Sequence, residues 1–284
     1  MEIKNTAVIG AGVMGGDVAF DLARFGYAVI LKDVDPEVLK EAEEKLKKDY
    51  KLYRMMKPEL KSLSIEDILA KITFTTEYDA FDRVDLVIEN IIEEWEAKKK
   101  LYLELKEICR EETIYAVNTS CISITRIGAL MPRPEKVIGT HFMNPVPLKE
   151  MVETIRGHHT SDETVGLIKE FLKSMKKTAV VVNDFPGFVT NRVSHLFMNE
   201  AAFLIQDGVA NAKEVDMVFT RGFGHKMGPL ATADLIGLDT VVKSLDVLYE
   251  SYQDPKFRCC PLLRKMVDAG LLGKKSGEGF FKYR

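Results

Sequence analysis

A chain of 284 residues with a net charge of −3 and 46% hydrophobic content is long enough for one large or two ordinary folded domains. That charge gives no electrostatic case for a nucleic-acid partner, and no apolar run reaches the roughly 18 residues that span a bilayer. The four cysteines show no C-x-x-C spacing, which disfavours a disulfide framework or a metal site and suits reduced thiols. The opening "MEIKNTAVIG" enters an apolar run without the basic start and apolar core of a secretory leader, so a cytoplasmic location is expected.

In chain order, "TAVIG" reads as a strand, followed by a glycine turn and a helix through Arg24. "YAVILKD" reads as a second strand leading to a helix opened by Pro36. Further β-rich runs, "DLVIE", "IYAVN", "KVIGT" and "TAVVV", are separated by amphipathic segments such as 94–109 and 161–176. Strands alternating with helices predict parallel βαβ units, hence a Rossmann-type, doubly wound, mainly parallel α/β sheet over residues 1–183. From Asp184 the β pattern stops. Val189, Val193, Leu196, Phe197, Ala201 and Leu204 recur at helical spacing within 187–207, and Gly208 follows as a stop. Asn211 and Glu214 form an N-terminal capping pattern, and 239–252 and 261–269 read as helices, the last stopped by Gly270. Residues 184–284 are therefore expected to form an all-α domain, with "NDFPGF" at the junction.

The first turn, "AVIGAGVMGG", carries G-x-G-x-x-G at Gly10, Gly12 and Gly15, with Ala11, Val13 and Met14 between them. Alone the pattern is weak, but it lies directly after a strand and before a helix. There Gly10 permits the tight turn, Gly12 admits a pyrophosphate to the backbone, and Gly15 allows close helix–strand packing. The helix N-terminus offers unpaired N–H groups and a partial positive charge to the anion. Asp33 ends the second strand, where a carboxylate accepts from the adenosine ribose hydroxyls and repels a 2′-phosphate, favouring NAD over NADP. Lys32 beside it weakens that preference.

An alcohol dehydrogenation needs a base near the hydroxyl, and histidine titrates near neutrality. Of the five histidines, His158 and His159 lie in a polar connector, His195 on a helix, and His225 in a glycine-rich turn. His141 instead follows the run "KVIGT" at its carboxyl end, the edge of a parallel sheet at which ligands bind. Glu153 falls on the next β-like run, "EMVETI", where a return of the chain would bring its carboxylate to the imidazole. On spacing alone an ordinary surface glutamate is the equal alternative.

Taken together, "GAGVMG", "DLVIENIIEE", "NTSCISIT", "GTHFMNPVPLKEMVE", "DFPGFVTNR", "GPLATADLIGLDT" and "KKSGEGFFKY" resemble, in order from Asn5 to Tyr283, the short-chain L-3-hydroxyacyl-CoA dehydrogenase family and its 3-hydroxybutyryl-CoA members. The resemblance implies that His141 is the general acid/base and Glu153 its partner. It also implies that Ser120 and Asn191 contact the reacting oxygen and that Asn144 lines the same pocket. For the cofactor, NAD, it adds Glu93, Lys98, Ser120, Asn144 and Lys275 to the glycine turn and Asp33. Lys51, Arg54 and Lys57, on a basic helical run, are candidates for the phosphates of the acyl-CoA substrate. A homodimer through the helical domain is implied as well, with the site in the cleft between domains. Simpler readings compete: Ser120 as a helix cap, Asn191 as a solvated first-turn amide, Glu93 and Lys98 as a surface pair, and the basic run as a solvated face. Met143, Thr190 and Cys121 depart from the family's usual residues without removing a reacting group. Two other functions stay open: a hydroxyacid or gulonate-type dehydrogenase without CoA, and a non-catalytic NAD-binding structural or sensor protein.

Overall fold

The computed structural model describes residues 3–283. The chain forms two compact units, Met1–Phe185 and Pro186–Arg284. Among the described residues no helix is long and apolar enough to cross a membrane.

The first unit is an eight-stranded sheet in the order β3-β2-β1-β4-β5-β6-β7-β8. Its strands are β1 (Asn5–Ile9), β2 (Ala28–Lys32), β3 (Ile72–Thr75), β4 (Leu86–Glu89), β5 (Ile114–Val117), β6 (Val137–Phe142), β7 (Met151–Arg156) and β8 (Thr178–Asn183). Every neighbouring pair is parallel except β6 and β7, which run antiparallel. β1 lies between β2 and β4, so the chain winds outward on both sides of it, and the change of direction opens a crevice at the strands' carboxyl ends. β4 and β5 are buried at every position, as continuous apolar runs between two layers of helices should be.

The crossovers are α1 (Val13–Arg24), α2 (Pro36–Met56), α3 (Ile65–Leu69), α4 (Trp95–Ile108), α5 (Ile124–Gly128) and α6 (Asp162–Ser174). Most start where the sequence supplies an oxygen for an unpaired N–H. Asp35 accepts from Glu37, Ser64 from Asp67, Ser123 from Arg126 and Ser161 from Thr164. The core joins Val8, Phe20, Leu22, Leu31, Leu86, Ile88, Ile138 and Ile168. Burying each such side chain contributes about 1.5–3 kcal/mol. β3 and α3 escape the sequence reading because each is so short that apolar periodicity cannot distinguish it from a loop.

The second unit is helical: α7 (Thr190–Gln206), α8 (Ala212–Met217), α9 (Pro229–Ile236), α10 (Leu238–Tyr252) and α11 (Pro261–Asp268). Asn211 and Glu214 form the expected reciprocal cap of α8. α8 runs on into a π-helical turn over Val218–Gly222. α9 was not foreseen, since it is nearly uniformly apolar and shows no helical stripe. Its start is held by Asp216, whose two oxygens accept from Leu230 and Ala231. Met198, Ala202, Leu238, Val241, Leu245 and Leu263 form the core of this unit.

Candidate active site

The crevice edge is built from the ends of four adjacent strands. Ile9 pairs with Glu89, Glu89 with Val117, and Val117 with Gly139, so Gly10, Asn90, Asn118 and His141 all emerge at the carboxyl edge. Gly10 has a φ of +94°, and a Cβ there would lie 2.6 Å from the Asn90 carbonyl oxygen. A Cβ on Gly15 would sit 1.7 Å from the Gly10 oxygen, so helix and turn touch backbone to backbone. Gly12 is the opposite case: a Cβ there meets nothing within 4 Å, and the residue caps α1 without any side-chain acceptor. The turn thus presents open space and uncapped N–H groups, which fits a dinucleotide pyrophosphate.

Asp33 stands beside this turn. Its Oδ2 accepts from the Ala11 N–H at 2.7 Å and its Oδ1 from the Asp35 N–H at 3.2 Å, fixing the carboxylate at the crevice rim. Lys32, which clouded the preference for NAD, is enclosed by protein. Its side chain is buried and its ammonium lies 4.3 Å from the Tyr78 ring centroid.

The antiparallel step between β6 and β7 sets His141 directly opposite Glu153 in register. Both side chains are buried, and His141 Nδ1 lies 3.0 Å from Glu153 Oε2. A carboxylate only accepts, so Nδ1 carries the hydrogen and the lone pair of the neutral ring sits on Nε2. That nitrogen is 3.2 Å from Ser120 Oγ. The three side chains form one line from β7 through β6 to the turn after β5, which is what a proton acceptor with an orienting carboxylate requires.

The Ser120 turn is held from the loop between β4 and α4. Glu93 Oε1 accepts from the backbone N–H groups of Ser120 and Cys121, each at 2.9 Å, and from the Thr119 hydroxyl. Ser123, rather than Ser120, caps the following helix. Lys98 and Glu93 are not a surface pair. Lys98 is completely buried and its ammonium bonds both oxygens of Glu89 at 2.7 Å and the Asn118 carbonyl at 3.1 Å. Glu89 and Asn118 went unnoticed in the sequence. The available signal was the carboxylate that closes the apolar stretch "LVI" in "DLVIE", where a buried charge demands a partner.

Past His141, Asn144 is exposed and joined to Pro145 by a cis peptide bond. The following segment is clamped from below. Asp17 Oδ2 accepts from Val146 N, and Lys177 Nζ donates to the carbonyls of Val146 and Lys149 while pairing with Asp21 at 2.9 Å. Burial raises the Asp17 carboxyl above the usual range, against the opposing charge of Lys45 and a hydrogen bond from Tyr53.

Of the basic run, Lys57 is paired with Glu150 at 2.6 Å, whereas Lys51 and Arg54 are exposed beside Leu52, Met55 and Met56. Asn191 and Lys275 belong to the helical unit. Asn191 is buried in the first turn of α7, its carbonyl 2.9 Å from His195 Nδ1, and Lys275 is paired with Asp239 at 2.6 Å.

Comparison with known proteins follows the same division. Residues 5–185 match the family model "3-hydroxyacyl-CoA dehydrogenase, NAD binding domain", and residues 187–283 match "3-hydroxyacyl-CoA dehydrogenase, C-terminal domain". The "Probable 3-hydroxybutyryl-CoA dehydrogenase" of Bacillus subtilis (strain 168) is 45% identical over 287 residues, covering 100% of this chain and 98% of that protein. The "3-hydroxybutyryl-CoA dehydrogenase" of Bradyrhizobium diazoefficiens is 42% identical, covering 99% of this chain and 96% of its own length. Among solved structures, the (S)-3-hydroxybutyryl-CoA dehydrogenase PaaH1 from Ralstonia eutropha superposes with a TM-score of 0.93 at 37% identity, with 100% of both chains covered.

Proposed function

The chain belongs to the 3-hydroxyacyl-CoA dehydrogenase family, and from that premise we propose that it interconverts a short-chain L-3-hydroxyacyl-CoA and the matching 3-ketoacyl-CoA, with His141 as acid/base. The observation that carries this chemistry is the line from Ser120 Oγ through His141 to Glu153, with contacts of 3.2 and 3.0 Å.

In the oxidative direction His141 Nε2 takes the proton of the C3 hydroxyl. The electron pair left on oxygen becomes the second bond of the carbonyl and expels hydride from C3. Bound NAD supplies the acceptor for that hydride at its nicotinamide. The imidazole becomes an imidazolium, and Glu153 stabilises that charge from the opposite side of the ring. In the reductive direction the same Nε2 returns the proton. Ser120 orients the oxygen by hydrogen bonding, and the family resemblance gives Asn191 and Asn144 supporting roles toward the substrate. Gly10 to Gly15 hold the pyrophosphate, and Asp33 the adenosine ribose, with Glu93 and Lys275 completing the cofactor's surroundings.

Lys51, Arg54 and Lys57 are the groups assigned to the CoA phosphates, and the exposed Leu52, Met55 and Met56 offer apolar surface beside them. The helical unit exposes Val193, Val209, Val218, Phe223 and Leu235, a surface suited to a second copy of the chain in a homodimer. A cytoplasmic location accords with the sparse, unpatterned cysteines.

The test is consumption of NADH with acetoacetyl-CoA. Rapid oxidation supports the reading. Turnover only with free hydroxyacids would establish a CoA-independent dehydrogenase instead, and nucleotide binding without turnover a sensor.

A further inference from the structure

We infer that Asp17 is a positioning residue for the proposed reaction: it holds the segment between His141 and Glu153 against α1, the helix that opens at the dinucleotide turn. The inference rests on the dehydrogenase reading above and assigns a part within it.

Asp17, Asp21 and Arg24 stand at i, i+4 and i+7 of α1 and so share one face of the helix. Asp17 and Asp21 are each only 1% exposed, and buried carboxyls are costly unless donors meet them. The donors come from the segment after His141 or lead to it. Asp17 Oδ2 accepts from the Val146 N–H at 3.3 Å. Asp21 pairs with Lys177 at 2.9 Å, and that ammonium donates onward to the carbonyls of Val146 and Lys149 at 2.8 and 2.6 Å. Arg24 donates to the Pro147 carbonyl at 3.3 Å. One stripe of α1 therefore grips the connector along its length.

A second tie orients the Asp17 carboxyl. The Tyr53 hydroxyl, from α2, donates to Oδ1 at 3.0 Å, and the Tyr53 ring packs on Phe20 with centroids 5.7 Å apart. The end of α2 meets the far end of the connector as well, through Lys57 and Glu150. Three pieces of chain thus converge on one carboxyl. The first, α1, starts at Val13 directly after the glycine turn, so its placement follows the pyrophosphate. The connector carries Asn144 two residues before Val146, and it joins the strands on which His141 and Glu153 face each other. The Asp17 contact sets the spacing between the cofactor's helix and the proton-handling pair. Hydride transfer is sensitive to displacements of about 1 Å, so loosening this contact should slow the chemical step.

Asp17→Ala and Asp17→Asn are compared by single-turnover kinetics, with folded enzyme in excess over NADH and acetoacetyl-CoA saturating. The NADH dissociation constant is measured beside them. The rate constant of one turnover belongs to folded, loaded enzyme, so a merely structural defect that lowers the folded fraction leaves it unchanged. Asp17→Ala should lower it roughly 10- to 30-fold while the NADH constant stays within about threefold of the parent. Asp17→Asn should stay within about threefold of the parent rate, because its Oδ1 can accept from Val146 while its Nδ2 donates to the Tyr53 oxygen. Burial already biases the native carboxyl toward its neutral form, which the amide resembles. An unchanged rate constant in Asp17→Ala would overturn the proposal, as would Asp17→Asn turning over as slowly as Asp17→Ala. An NADH constant raised more than about tenfold at a near-normal rate would assign Asp17 to the cofactor and overturn it too. If Asp17→Ala fails to fold, Tyr53→Phe decides: a rate about threefold lower supports the role, and an unchanged rate removes it. A parent that binds NADH without turnover would instead defeat the dehydrogenase reading itself.

Discussion

Two buried acid–base pairs are anchored on the same sheet, one of them completed by α4, and they differ in what surrounds them. Glu89 and Lys98 have no exposed side-chain surface, and the ammonium bonds both Glu89 oxygens and the Asn118 carbonyl. His141 and Glu153 are slightly less enclosed, at 10% and 3%, and the ring's Nε2 lies 3.2 Å from the Ser120 hydroxyl. Enclosure makes the first pair a fixture, because moving or removing either charge strands the other in a medium that solvates it poorly. In the proposed reaction the second pair instead handles a proton at Nε2. Burial raises the Glu89 carboxyl above its usual range, and Lys98 opposes that shift.

Substitutions that break one pair and spare the other sharpen the contrast. The largest effect is expected for His141→Gln, which should reduce kcat by about 10³–10⁴-fold with little change in the unfolding temperature. Near-normal turnover with NADH saturating would remove His141 from the chemistry. Glu153→Gln keeps a hydrogen-bond acceptor but no charge to balance the imidazolium, so a fall in kcat of about 10²-fold is expected at unchanged NADH affinity. Glu89→Gln reverses the pattern. It leaves the Lys98 ammonium buried opposite a neutral amide, and urea unfolding should report a loss of about 3–5 kcal/mol. Much of that loss should return when Lys98→Met is added, since the stranded charge is then gone. A Glu89→Gln protein as stable as the parent would show that the pair is not a fixture. The smallest effect belongs to the exposed helix: Lys51→Gln with Arg54→Gln should raise the KM for acyl-CoA about 3- to 10-fold, an increase that shrinks with added salt.

The glycine turn was legible because its demands are local. Gly15 is needed by its contact with the Gly10 oxygen and Gly10 by its positive φ, and the strand before and helix after them are marked by composition. That Gly10 also abuts the Asn90 carbonyl was not legible. The helical second unit was legible for the same reason, through the spacing of apolar residues in α7 and the cap at Asn211 and Glu214. Lys98 was not. In sequence it sits among Lys99 and Lys100 near the start of an amphipathic helix, and nothing in that run shows which amine turns inward. The choice follows from Glu89 arriving at the end of β4 beneath the helix, a contact between residues that the spacing of neither element announces.

The sequence by itself determined the alternation of strands and helices, the glycine turn, the acid at Asp33 and the family to which the motifs point, because these depend on interactions between near neighbours in the chain. Only the tertiary structure decided that Glu153 faces His141, that Lys32 is enclosed beside Tyr78, and that Lys98 pairs with Glu89. Each of those depends on strand register or on which side of an element a neighbour packs. A one-residue shift of register would carry Glu153 to the other face of the sheet.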